Sequence, residues 1–494
     1  MATSPESLIV TLASIIIVLL TSILFRPTAK KPQQPPATRC LRVDNIPADR
    51  VDDFNRELKA IIEQDSAPRA IAAAPVCRSL APRDKKTVCA TISIITWLPA
   101  NDLSAWLYRN TNGGLYRYTD TFDGVTPLYV GHGGGEVDII AVPGLGSHAF
   151  GSWKSSKSDD IWLRDFLPKD APNIRVLLYG YDTALSGSLS KQSIGDLGGA
   201  LLEQIVAFRA RDRTSCRPII FIGHSLGGLV IKEALVRARR SPNDTSHDLS
   251  KATYGLLFFG VPNLGLRNNQ LETLVHGQPN QALIHDLLVD DDSEPSNYLK
   301  RLADEFSERC KDQYRVVSFF ERRHSPTLEL NEVGKWCKTG PPCLLVTEKS
   351  ATSIGLVAVD DEDNVALDTD HSGLVKYDSN NHAYYMIVTE RLQRLINEAE
   401  REVPNRFAKH THQPARGIKI RNITGGNKVR QVFSPQTDMS MDIDTIHAGD
   451  ESWQAFGSEE LMQILFNRGQ PQHMEILDND LTTQLIDECA SKPA

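Results

Sequence analysis

The chain has 494 residues, 41% hydrophobic and 23% charged, enough for a sizeable core and for two to four structural units. Lys and Arg number 54 against 62 Asp and Glu, a net charge of −8 with no strongly basic stretch, which argues against nucleic-acid binding. The eight cysteines, at 40, 77, 89, 216, 310, 337, 343 and 489, form no C-x-x-C pair or Cys/His cluster and read as free thiols of a reducing compartment, not as zinc ligands.

Leu8 to Phe25, LIVTLASIIIVLLTSILF, carries no charge. As a helix it spans roughly 27 Å, close to the hydrocarbon thickness of a bilayer, which predicts a transmembrane anchor over 8–25. The leader before it holds Glu6 and no cation, whereas Arg26, Lys30 and Lys31 come after it. This asymmetry puts the C-terminal body in the cytosol. The alternative is a cleaved targeting segment, although its usual basic leader is lacking. Residues 26–39 hold four prolines and nothing to bury, so they are expected to be an extended linker.

Residues 40–119 predict a small α+β unit. Leu41 to Val43 and Thr87 to Ile94 read as strands. Val51, Phe54, Leu58, Ile61 and Ile62 recur at helical spacing, and Leu103 to Tyr108 suggests a second helix. From 120 to 400 short apolar runs alternate with helical patterns. Strands are expected at Val137–Val142, Ile174–Tyr179, Ile219–Ile222, Tyr254–Phe259, Tyr314–Phe320 and Cys343–Thr347, with helices at Ile194–Arg211, Leu229–Arg240 and Asn381–Glu400. Such near-continuous apolar strands imply a mainly parallel sheet covered by helices on both faces, an α/β fold. Residues 401–494 turn polar, no internal repeat is evident, and most of the tail is expected to be disordered. Ser458 to Phe466 could form a short helix for a protein partner.

Gly223-His224-Ser225-Leu226-Gly227-Gly228 stands between an apolar strand and a helical pattern, the context a nucleophile elbow requires. Side chains at 223 and 227 would collide with the neighbouring elements. Ser225 would then sit above the C-terminal edge of the sheet, and the N–H of Leu226 could donate to an oxyanion. A base is expected after the last strand, where His371 stands; His224, His285, His324 and His382 read as packing or surface residues. For the orienting acid two candidates stay open: Glu321, ending Val316 to Phe320, and Glu348, after Leu344 to Thr347. A second oxyanion donor is expected from the loop Pro143 to Ser147, at the N–H of Leu145, where glycines permit close approach.

These residues carry a resemblance. Gly144-Leu145-Gly146, His148 to Trp153, Trp162 to Pro168, Tyr179-Gly180-Tyr181-Asp182, the elbow, Phe258-Phe259-Gly260 and Asp370-His371 stand in the order found in the serine active site-containing, lipase-like α/β-hydrolases. The likeness covers roughly 120–395 and is of the fungal type. It implies an α/β-hydrolase fold and a serine esterase or lipase-like activity, with members linked to phospholipid remodelling at mitochondrial and endoplasmic-reticulum membranes. This chain departs at Pro143 and Ser147, where the family reads His and Gly, and at Asn263, where it reads His. The pattern admits two readings. One is a membrane-anchored esterase acting on a lipid-like ester, with the segment Pro262 to Cys310 forming part of a cap and no cofactor needed. The other is a decayed hydrolase serving as a membrane-tethered scaffold.

Overall fold

The computed structural model describes residues 35–411, apart from 65–66, 112–113, 147, 156, 269, 290–293, 311–312, 333–335 and 356–360, and six short strands between 418 and 456. The expected anchor at 8–25, most of the linker, Ser147 and the helix at 458–466 lie outside the described residues. Among the described residues no helix is long and apolar enough to cross a membrane. Cys40, Cys77, Cys89, Cys216, Cys310, Cys337 and Cys343 are all free thiols. The chain divides into two compact units, 1–404 and 405–494.

The small N-terminal sheet comprises β1 (Ala37–Pro47), β2 (Val76–Pro82), β3 (Thr87–Thr96) and β4 (Arg117–Thr119), ordered β2-β3-β1-β4. Its pairings are antiparallel. The helices Val51–Ala60 and Ala100–Asn110 bury Phe54, Leu58, Leu103 and Leu107 with Leu41, Val43, Ile92 and Ile94 in one core. Sequence periodicity anticipated β1, β3 and both helices; β2 and β4 are additions. The buried Arg42 ties this small sheet to residues 123–126, donating to Asp123 O at 2.7 Å and Thr126 Oγ1 at 2.9 Å.

The larger sheet has seven strands: β5 (Gly124–Val130), β6 (Val137–Val142), β7 (Ile174–Gly180), β8 (Ile219–His224), β9 (Thr253–Phe259), β10 (Arg315–Glu321) and, after a hairpin of β11 (Ser325–Leu330) and β12 (Trp336–Cys343), β13 (Asn364–Leu367). The order is β13-β10-β9-β8-β6-β7-β5. Only the edge strand β5 runs antiparallel, so the sheet is mixed. Strands β6, β7, β8 and β9 are buried along their whole length, as apolar runs between two helical layers must be. The chain leaves β6 toward β7 on one side and resumes at β8 on the other. The loops after β6 and β8 therefore diverge, opening the crevice in which open α/β sheets hold their sites.

One expectation fails here. The run Cys343–Thr347 is not a sheet strand: Cys343 closes the β11–β12 hairpin, and the residues after it cross over the sheet edge. The place beside β10 belongs to β13. The segment Pro262 to Cys310, expected to form part of a cap, divides between two places. Its helix Asn297–Cys310 lies on the sheet's flanking helix Leu226–Arg240, with Tyr298 donating to Glu233 Oε2 at 2.9 Å. The stretch 270–287 reaches the loop after β7, where Asn280 donates to the carbonyls of Ala184 and Leu185 at 3.0 Å.

Candidate active site

Strand β8 ends at His224, whose register partner is Phe259, and the backbone then reverses direction within one residue. Ser225 carries the turn with φ 51° and ψ −126°, a left-handed conformation that a serine adopts at a cost of about 1–3 kcal/mol. Its N–H donates to Phe259 O at 2.9 Å and its carbonyl accepts from Gly228 N at 3.0 Å, so ladder and helix meet at this residue. The flanking glycines are required. A Cβ at 223 would lie 2.8 Å from Gly228 Cα, and one at 227 would lie 2.4 and 2.5 Å from the carbonyl oxygens of Val142 and Pro143. The loop after β6 is thus pressed onto the start of the elbow helix. A Cβ at Gly144 would lie 2.8 Å from Ser225 Cβ, which sets the backbone of 144–145 directly against the serine. Tyr181 donates to Pro143 O at 2.7 Å, and Gly146 N–H donates to Thr183 O at 2.8 Å, holding this loop from its far side. Leu226, buried, begins the helix; Leu145 is half-buried beside Ser225.

Glu321 ends β10 and is 1% exposed. One oxygen accepts from Val346 N–H at 2.9 Å, and the other faces His371 Nδ1 at 3.0 Å. The structure brings Glu321 and His371 together, while Glu348 turns away to pair with Arg322 at 2.9 Å with its side chain 53% exposed. His371 sits on the loop after β13. This loop is fixed by His371 N–H donating to Ser325 Oγ at 3.1 Å and by Arg323 N–H donating to Thr369 O at 3.0 Å. The left-handed Gly260 packs against the His371 ring, where a Cβ would meet Nδ1 at 2.9 Å.

His224 has a position that spacing did not reveal. Its Nε2 donates to His371 O at 3.1 Å, its ring lies 5.0 Å from the His371 ring, and it is wholly enclosed. Burial, with His371 beside it, lowers its pKa to about 3, so the ring is neutral. With Nε2 protonated, Nδ1 is a bare acceptor, and it has no hydrogen-bond partner among the described residues. The only signal in the sequence was its adjacency to Ser225. Val346 and Ser325 left none, since each acts through one local bond.

Asn263, at one departure from the family pattern, is a packed interior side chain. It is buried, donating to the carbonyls of Val261, Ser350 and Ala351 at 3.0–3.2 Å and accepting from Lys232 Nζ at 3.0 Å. Lys232 is enclosed too, reaching Ile354 O at 3.1 Å and lying 5.0 Å over the Phe306 ring; burial lowers its ammonium to about 7. The amide here clamps loops under the sheet edge. At the opposite, N-terminal end of β6, the fully buried Asp138 is paired with Arg175, Arg209 and Arg217. Burial would raise its carboxyl, but Arg209 and Arg175 outweigh that and hold it below the usual range.

A seven-stranded mixed sheet between helices, a serine on a strained strand–helix turn and a Glu–His pair at the sheet edge are the parts of an α/β-hydrolase-like fold, and they are similar to those of serine esterases and lipases. Comparison with known proteins finds likenesses over part of the chain. The profile of the family described as "Putative serine esterase (DUF676)" matches residues 154–286. Protein SERAC1 of Mus musculus is 30% identical over 207 residues, 38% of this chain and 30% of that protein. Protein SERAC1 of Danio rerio is 28% identical over 265 residues, 49% of this chain and 36% of that protein. The match thus spans about a third of the length of these curated relatives. Among solved structures, the mature lipase BlEst2 of Bacillus licheniformis overlaps 54% of this chain and 97% of its own, at 15% identity and a TM-score of 0.33.

Proposed function

We propose that the chain is a serine hydrolase that cleaves a carboxylic ester through an acyl-enzyme on Ser225. The observation that carries this reading is the buried Glu321–His371 hydrogen bond at the sheet edge where the strained Ser225 stands. Glu321, held by Val346 N–H, accepts the Nδ1 proton of His371 and so keeps Nε2 free to take the serine proton. Ser225 Oγ attacks the ester carbonyl while His371 becomes an imidazolium, stabilised by the carboxylate. The N–H groups of Leu226 and Leu145 receive the oxyanion. His371 then returns its proton to the leaving alcohol, and water, activated by the same histidine, releases the acid. Retaining Ser225 in a conformation that costs stability favours this over the scaffold reading, because a binding module gains nothing from the strain.

The substrate is a lipid-like ester, and the segment 8–25 anchors the enzyme to the cytosolic face of an endoplasmic-reticulum or mitochondrial outer membrane. Support for this comes from the apolar N-terminal run and the family resemblance. The test is fluorophosphonate labelling of the full chain in detergent, beside Ser225→Ala and His371→Ala. Labelling that disappears in both variants upholds the reading. A folded chain that never labels refutes it.

A further inference from the structure

Ser225 and its proposed base come from different parts of the sheet. The nucleophile's turn follows β8, whereas His371 follows β13, with the ends of β9 and β10 between them. Hydrogen bonds hold the base loop from its outer side, at His371 N–H through Ser325 and at Thr369 O through Arg323. The tie to the nucleophile's own strand is made by His224, whose Nε2–H donates to His371 O at 3.1 Å across 147 positions of sequence. His224 is joined by a peptide bond to Ser225, and the backbone of Ser225 is itself fixed by Phe259 O and Gly228 N–H. One rigid side chain therefore sets the spacing between serine and base.

A histidine is a costly choice for this place. His224 is 8% exposed, and its Nδ1 has no hydrogen-bond partner among the described residues. A Cβ at Gly144 would lie 3.1 Å from that atom, so the loop after β6 covers a bare acceptor, which lowers stability. A phenyl ring of similar volume would fill the space without an orphaned polar atom. What a phenyl ring cannot supply is the donor to His371 O. Burial completes the arrangement by keeping the His224 ring neutral. It therefore adds no positive charge beside the imidazolium that His371 becomes, whose ring lies 5.0 Å away.

We infer that His224 is a positioning residue of the proposed hydrolase: its Nε2–H clasps the main chain of His371 and holds the imidazole within reach of Ser225. The inference rests on the reading of Ser225 and His371 as nucleophile and base. Without the clasp, a loop carried on the four-residue β13 loses its tie to the nucleophile's strand and is free to shift. A reacting group misplaced by about 1 Å costs about 100-fold in rate. The loss falls on the chemical step, so kcat drops while KM is kept. A main chain that shifts also strains the Glu321–His371 bond, whose shared proton then exchanges faster with water.

Three substitutions in the full chain separate the clasp from packing. His224→Gln places an amide nitrogen where Nε2 stands, His224→Asn stops one bond short, where Nδ1 stands, and His224→Phe fills the volume of the ring with no donor. Hydrolysis of a short-chain nitrophenyl ester and fluorophosphonate labelling are measured per folded chain, the folded fraction coming from thermal unfolding. Beside them is read the downfield proton resonance of His371 Nδ1–H, assigned by its loss in His371→Ala. In His224→Gln, kcat stays within about tenfold of native and the resonance is retained. In His224→Asn and His224→Phe, kcat falls about 100-fold at an unchanged KM and the resonance broadens away. His224→Phe performing as well as His224→Gln or better overturns the inference, since the residue then only packs. So do three variants within about threefold of one another. A native chain that shows the resonance and never labels refutes the hydrolase reading, and the order of the variants in the resonance then decides the clasp.

Discussion

Replacing Glu321 by Gln tests the site most sharply, because the two bonds to that carboxylate make incompatible demands on an amide. Val346 N–H needs an acceptor at 2.9 Å and His371 Nδ1 faces the other oxygen at 3.0 Å. If the amide oxygen serves Val346, the amide NH2 faces Nδ1 and forces the imidazole to carry its proton on Nε2, where it cannot accept from Ser225. If the amide turns, it leaves a buried donor against Val346 N–H, at about 1–3 kcal/mol. The first arrangement is favoured, and the expected loss is about 10⁴ in turnover, or about 5.5 kcal/mol of transition-state stabilisation. Fluorophosphonate labelling rates and hydrolysis of a short-chain nitrophenyl ester both read it. Glu348→Gln is the companion: it breaks an exposed pair with Arg322 and should change either rate less than threefold. Glu321→Gln within tenfold of the native rate, or Glu348→Gln equally damaged, would refute the assignment.

Gly227→Ala drives a methyl group to within 2.5 Å of two backbone oxygens and must push the 143–145 loop off the elbow; labelling should fall about 100-fold, with a stability loss of about 1–3 kcal/mol by denaturant titration. Asp138→Asn takes the carboxylate partner from the buried Arg209 and one of two from Arg175 at the end of the sheet remote from Ser225, so stability should drop by about 3–5 kcal/mol while the labelling rate of the folded protein holds. Lys232 gives up its proton near pH 7 when folded but near 10.5 when unfolded. The unfolded chain therefore binds more protons in between, and this group makes stability rise from pH 7 upward by as much as about 1.4 kcal/mol per unit. In Lys232→Met, urea titrations at pH 7 and 8.5 should show that rise removed; an identical rise in the variant would mean other groups cause it.

Where one kind of residue had one physical reason to be present, the sequence was readable. Strands β6 to β10 are buried on both faces and so appear as near-continuous apolar runs, and the elbow glycines each answer to a backbone collision. The edge strand β5 escaped notice because Pro127 interrupts it, a residue that only an edge tolerates. Leu344 to Thr347 misled for the converse reason. Val346 is buried and apolar because it covers Glu321, not because it belongs to a ladder. The choice between Glu321 and Glu348 depended on which strand ends beside β13, and that is a property of pairing.

The order in which the sheet is laid down has a bearing on when the proposed enzyme can act. Ser225 and the loop that flanks it are complete once the chain has been made as far as Phe259, whose carbonyl fixes the elbow. Glu321 arrives some sixty residues later and His371 later still, on a four-residue strand that is the last and shortest of the sheet. A chain still emerging from the ribosome therefore carries the proposed nucleophile without its base for much of its synthesis. Under the proposed mechanism the serine gains its reactivity only when the far edge of the sheet docks, so the outermost strand doubles as a proof that the domain has been finished.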